Sequence, residues 1–192
     1  MNADDHRLIS ECLAGNTAAF GELVTRYQDR LYNTVFRLVN QPEDARDAVQ
    51  EAFLSAYQSL ATFKGDSLFF TWLYRIAINT AISLKRKQRA ALRLTSGLES
   101  GTVNEPVDPS DMTQPGRALE MAEDEKLIQQ ALNRLSAEHR TVLVLKDMEG
   151  RKYEDMAEIL EVPIGTIRSR LHRARLELRD ILLQDEKKVE HR

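Results

Sequence analysis

Residues 153–179 read YEDMAEILEVPIGTIRSRLHRARLELR. Two amphipathic segments meet at a short break. In the first, Met156, Ala157 and Leu160 share a face. The break is Glu161-Val162-Pro163-Ile164, where Pro163 cannot continue a helix. In the second, Ile167, Leu171, Ala174 and Leu178 follow the spacing of a helical stripe. Ser169, His172 and Arg173 fall opposite that stripe, with Arg168 and Arg170 on the flanks. Such a helix buries one edge and presents guanidinium groups to a polyanion. This is the layout of a helix-turn-helix, whose second helix enters the major groove of duplex DNA. Arginine suits that work because its planar fork holds a guanine edge or a phosphate through two hydrogen bonds. Against it stand two points. An arginine-rich amphipathic helix is often only a solvated face. The turn also has no glycine, and a left-handed residue there would cost on the order of 1 kcal/mol without one.

Composition sets bounds around this motif. The chain has 192 residues, enough for one large domain or two small ones. Leu, Ala, Glu and Arg dominate while Gly and Pro are scarce, which favours an all-helical fold. The formal net charge is −3, so any basic surface must be local and balanced by acid elsewhere. Cys12 is the only cysteine, which excludes an internal disulfide and any CxxC metal site. It suits a small buried hydrophobe better than a redox sensor. His6, His139, His172 and His191 have no ligand partner at helical spacing. No metal or cofactor is expected. The acidic start, MNADDHRLISECLAG, has no hydrophobic signal core, and no uncharged apolar run reaches membrane-spanning length. These features lead to an expectation of a cytoplasmic protein.

The segment near 95–116, TSGLESGTVNEPVDPSDMTQPG, gathers Gly, Pro and acids without an apolar stripe. It reads as a flexible linker. The expected organisation is two small helical domains, residues 1–93 and 120–188, joined by a linker over 94–119. In the first domain, helices are expected near 3–14 and 16–39, after Pro42, and from about 67 to 93, the last as one helix or two pieces. Thr141 to Leu145 is β-branched in part, but it lies inside a helical pattern begun by the cap-like Ser136.

Two faces are not explained by folding. In the third helix Ala45, Ala48, Val49, Ala52, Ala56 and Leu60 make a buried stripe. Opposite lie Asp47, Glu51 and Gln58 around Leu54, with Asp44 and Gln50 at the edges. A leucine ringed by acids and amides suits docking on a basic protein, although a plain solvated face fits equally well. In the fourth helix Phe70, Leu73, Ala77, Thr80 and Leu84 point to the core. Trp72, Arg75, Asn79, Ile82 and Arg86 lie on the other side, and Lys85, Lys87, Arg89 and Arg93 add positive charge. Trp72 could equally be a core anchor. Aromatic, basic and amide groups together suit single-stranded DNA, through stacking, phosphate neutralisation and base-edge contacts. The preceding break, Phe63-Lys64-Gly65-Asp66-Ser67, could face a flipped base.

Four stretches carry a resemblance: AAFGELVTRYQDRLYNTVFRLV (18–39), EDARDAVQEAFLSAYQSL (43–60), FKGDSLFFTWLYRIAINTAISLKRK (63–87) and LSAEHRTVLVLKDMEGRKYEDMAEILEVPIGTIRSRLHRARLEL (135–178). Taken in order around a variable linker, they resemble the extracytoplasmic-function class of sigma factors in the sigma-70 family, close to the sigma-E type. The resemblance implies a promoter-specificity subunit with a region-two bundle and a region-four helix-turn-helix. It implies that Asp44, Asp47, Gln50, Glu51 and Leu54 dock on the clamp of the RNA polymerase largest subunit. It points to Phe63, Lys64, Asp66, Ser67, Phe70, Trp72, Arg75 and Asn79, joined here by Arg86, for recognition and melting of the −10 element. Arg168, Ser169, Arg170, His172 and Arg173 are the implied contacts to the −35 element; close relatives often carry an aromatic where His172 stands. An anti-sigma factor, often membrane-bound, is the further implied partner.

No nucleophile–base pair, metal spacing or GxxxxGK[ST] loop is present, so neither an enzyme nor a small-molecule substrate is expected. Strand opening would draw on binding energy alone, with base capture offsetting the unstacking. The alternative is a helix-turn-helix regulator acting without polymerase, which leaves the Leu54 and Trp72–Arg86 faces unused.

Overall fold

The computed structural model describes the backbone of residues 3–95 and 115–190, and the side chains of 4–87 and 125–185. Eight α-helices are present among the described residues: α1 (Ala3–Leu13), α2 (Thr17–Val39), α3 (Pro42–Ser59), α4 (Phe69–Thr95), α5 (Pro115–Arg134), α6 (Ala137–Leu143), α7 (Tyr153–Leu160) and α8 (Ile164–Glu190). The fold is all-α, as composition and periodicity indicate. The expected linker over 94–119 falls largely outside the described residues.

Local chemistry explains the boundaries. Asn40 closes α2 in the left-handed conformation (φ 59°), and its amide donates to Phe36 O at 2.7 Å. Pro42 opens α3, followed by Glu43 and Asp44 at the positive end of the helix dipole. The Ser136 hydroxyl accepts the His139 amide at 3.2 Å and caps α6. The β-branched run stays helical: α6 passes into a π-helical turn over Val144–Met148, and Gly150 follows with φ 64°.

Helices α1 to α4 form one bundle, with Leu8, Leu23, Leu31, Val35, Leu73 and Ala77 fully buried. Asp5, itself buried, accepts from Tyr27 at 2.6 Å and Arg26 at 2.7 Å, fixing α1 on α2. Helix α4 is a single helix rather than two pieces, because nothing between Phe69 and Thr95 interrupts its backbone bonding. In the second half Leu132, Val142, Leu145, Met156, Ile159, Ile167, Leu171 and Ala174 make the core. The halves pack directly on one another: α7 lies on α4, while α5, α6 and the π turn lie on α2. The C-terminal carbonyls of α2 serve as an anchor. Lys85 donates to Leu38 O and Val39 O, each at 3.1 Å, and Arg140 donates to Leu38 O at 2.6 Å. Lys85 is therefore committed to the fold rather than to the basic face that its sequence position suggests.

Among the described residues, no helix is long and apolar enough to cross a membrane.

Candidate nucleic-acid interface

The helix-turn-helix consists of α7 and α8. Ile167, Leu171 and Ala174 are buried, and this leaves Arg168, Ser169, His172 and Arg173 exposed on the opposite side of α8. Arg170 is only partly exposed and pairs with Glu138 at 3.0 Å. The Arg168 guanidinium sits 5.5 Å from the Tyr153 ring centroid. Glu177, the acid that interrupts the basic face, is held by His139 Nδ1 at 2.6 Å. The turn is made by Glu161 itself in the left-handed conformation, φ 52° and ψ 41°. Val162 N–H reaches back to Ala157 O at 3.2 Å, the closure of a Schellman turn. A non-glycine residue thus occupies the strained position that the sequence singles out.

On α3, Ala45, Ala48, Val49, Ala52 and Ala56 are buried. Asp47, Gln50, Glu51 and Gln58 are exposed, and Leu54 keeps 50% of its surface in their midst. Phe53 joins the buried side, a position that the sequence reading passed over. Asp44, at the helix start, is half-buried.

The α4 face differs more from expectation. Asn79, Ile82 and Arg86 are exposed, and Arg75 is half-buried. Trp72 is only 7% exposed, packed against Phe63 and Phe69 with ring centroids 5.2 and 5.8 Å apart. Its place is with the core rather than on the open side of α4. Its wide indole fills the gap between the helix and the preceding loop. Phe70 is buried as well, with the guanidinium groups of Arg30 and Arg151 at 4.8 and 4.3 Å from its centroid. In the loop Lys64 and Asp66 are exposed, and Phe63 and Ser67 are half-buried. A surface groove between α3 and α4 is lined by Asp47, Glu51, Asn79, Thr80, Ser83, Leu84 and Lys87. It joins the acidic face of α3 to the amide of α4, a juxtaposition that helical periodicity cannot supply. Arg89 and Arg93 lie outside the described side chains.

Comparison with known proteins agrees with this architecture. Residues 23–91 match the family described as sigma-70 region 2, and residues 125–178 match sigma-70, region 4. The chain is 38% identical over 178 residues to the RNA polymerase sigma-H factor of Pseudomonas aeruginosa, covering 89% of this chain and 90% of that one. It is 36% identical over 173 residues to the ECF RNA polymerase sigma-E factor of Haemophilus influenzae, covering 89% and 91%. Among solved structures, one similar fold is the sigma factor RpoE of Bartonella quintana in complex with the anti-sigma factor NepR. Its TM-score is 0.70 at 28% identity, covering 85% of this chain and 96% of that one. Another is CnrH in complex with the cytosolic domain of CnrY, at TM-score 0.68 and 27% identity, covering 95% and 99%.

Two helical units, one carrying a helix-turn-helix and each matching a region of the sigma-70 family, define a transcription initiation factor. The chain belongs to the sigma-70 family, within the extracytoplasmic-function class, and is an RNA polymerase sigma factor. A free-standing helix-turn-helix regulator would leave the match over residues 23–91 without a role.

Proposed function

We propose that residues 1–93 act as region two and residues 120–188 as region four, with 94–119 as the tether between them. The observation that carries this reading is the separation of chemistry between faces. The exposed arginines of α8 are backed by a buried stripe, whereas the acids around Leu54 lie on a helix of the other unit. In this reading Asp44, Asp47, Gln50, Glu51 and Leu54 dock on the polymerase clamp. Arg168, Ser169, Arg170, His172 and Arg173 read the −35 duplex. Phe63, Lys64, Asp66, Ser67, Arg75, Asn79 and Arg86 engage the melted −10 strand, with Trp72 and Phe70 supporting the loop and helix that present them. The protein works in the cytoplasm and catalyses no reaction. An anti-sigma factor covers its polymerase-binding surfaces when it is idle, as the solved relatives bound to NepR and CnrY suggest.

Run-off transcription with purified core polymerase across the source genome's promoters tests the assignment. Discrete transcripts that require both proteins are expected. A footprint on the same promoters by the chain alone, as strong as with polymerase, would defeat it.

A further inference from the structure

One aromatic ring carries two cations at the entrance to the helix-turn-helix. Tyr153 is the first residue of α7 and is half-buried against the core of the second unit. Lys146 Nζ, from the π turn, lies 4.7 Å from the centroid of its ring, and the Arg168 guanidinium of α8 lies 5.5 Å from it. Both are within reach of a cation–π contact. Lys146 is also fixed by the Arg151 carbonyl, to which its Nζ donates at 2.9 Å. The next residue of the turn, Asp147, takes Arg175 of α8 in a two-pronged pair at 2.5 and 3.1 Å. The ring therefore has a set place between the π turn and α8.

The five arginines between 168 and 179 are not equivalent. Arg170 pairs with Glu138, Arg175 with Asp147 and Arg179 with Asp180. Among the described residues, Arg168 and Arg173 have no acid partner, and of the five only Arg168 rests on a ring. The difference has a chemical meaning. An acid partner competes with phosphates and base edges for the N–H groups of a guanidinium. A ring touches its flat face and leaves the N–H fork at the edge open. Arg168 thus keeps its donors while giving up part of its freedom, and freedom given up beforehand is not lost again on binding. Arg168 is also exposed and lies in the first turns of the second helix, whose N-terminal residues meet base edges in this motif. Buried Met156 and Ile159 of α7, with Ile167 and Leu171 of α8, fix the two helices around the pair.

We propose that Tyr153 is a positioning residue for promoter reading. Its ring holds Arg168 in the attitude that meets a base of the −35 duplex, without occupying the donors that do the reading, and Lys146 steadies the ring. The proposal rests on the −35 role given to Arg168 above.

The test is made on holoenzyme, the full chain with core polymerase, using promoters in which each −35 base pair is replaced in turn. Run-off transcription reads the preference at every position. Arg168→Ala should flatten the preference at one or two positions, which locates the base pair it reads. Tyr153→Leu keeps the apolar packing and removes the π face. It should lower the preference at those same positions about two- to five-fold and leave the others as in the wild type. In an Arg168→Ala background it should change nothing further, since a pairwise coupling vanishes when one partner is gone. Tyr153→Phe keeps the ring and should match the wild type. A loss spread evenly over all promoters, or one of equal size in the Arg168→Ala background, would make Tyr153 a packing residue and overturn the proposal. So would wild-type discrimination by Tyr153→Leu where Arg168→Ala has lost it, or a Tyr153→Phe that behaves like Tyr153→Leu. If Arg168→Ala itself leaves every position unchanged, the −35 role of Arg168 falls, and the positioning role of Tyr153 falls with it.

Discussion

Arg75 Nη1 lies 3.5 Å from Glu161 Oε1, so the turn of the helix-turn-helix and helix α4 are ion-paired across the seam between units. The same Glu161 holds φ at 52°, a conformation that costs a side-chain-bearing residue about 1 kcal/mol relative to glycine. The exposed pair returns less than that. Glu161→Gly should therefore raise stability by about 0.5 kcal/mol, read as a higher urea midpoint at an unchanged slope. A lower midpoint would show that the pair outweighs the strain.

Arg140 offers a contrasting case. It is 3% exposed and donates to four carbonyls: Leu132 O at 2.8 Å, Asn133 O at 2.8 Å, Leu135 O at 3.4 Å and Leu38 O at 2.6 Å. Arg140→Met keeps the volume and removes every donor. The orphaned carbonyls should cost about 3 kcal/mol. Arg140→Lys should recover only part, since one ammonium cannot span four acceptors. Equal stability of the two variants would contradict this.

Leu54→Arg tests docking. Half of Leu54 is already exposed, so the substitution should leave the urea midpoint within about 0.5 kcal/mol of wild type. Co-purification with core polymerase should fall ten-fold or more. Asp47→Arg should act in the same direction. Undiminished recovery of polymerase by both would remove the docking role.

Arg173 is exposed on the outer side of α8. Arg173→Ala should weaken use of the −35 element by about 1–3 kcal/mol and leave the fold intact. Transcription from matched promoters with and without that element measures this. An equal loss on both would assign Arg173 to a task other than base reading.

Tyr74 and Tyr27 make the seam and the first bundle sensitive to alkali. Burial, followed by the Asp5 carboxylate, raises Tyr27 to about 12. Burial raises Tyr74 to about 12, with Glu149 adding to the shift and the Thr34 bond and Arg151 opposing it. An unfolded tyrosine ionises near 10. The native state thus favours the neutral phenol, and this stabilisation is whole below pH 10 and lost as pH climbs from about 10 to 12. Stability should fall through that window, and Tyr27→Phe and Tyr74→Phe should each flatten the fall. Phenolate absorbance of the folded chain should show two late-titrating tyrosines; normal titration of both would contradict the buried geometry.

Much of this was legible in the sequence where one helix decides its own faces. The stripes of α3 and α8 are buried as their spacing indicates, with Leu178, at the end of the second, half-buried, and Pro42 and Ser136 begin helices as their chemistry dictates. Cys12 is buried, with its thiol pushed up by burial. Trp72 was not decidable, because its angle on α4 suits either side and only the Phe63 loop, folding back, makes that side interior. Arg140, Glu149 and Arg151 were missed altogether. Charged residues near a surface motif read as solvated, and their partners lie far away in the chain. Only Gly150, with its positive φ, marks the turn between Glu149 and Arg151 locally, and one glycine is a weak signal.

The shared carbonyl of Leu38 has a consequence for how the halves part. When the units separate, Arg140 loses one acceptor and keeps three in its own unit, while Leu38 O keeps Lys85. Glu149 leaves the Thr34 and Tyr74 hydroxyls for water, where a carboxylate is well solvated. At these two points of the seam the polar groups that part are either retained by their own unit or taken up by solvent, so the packing between the units rests on few bonds that only their contact can supply.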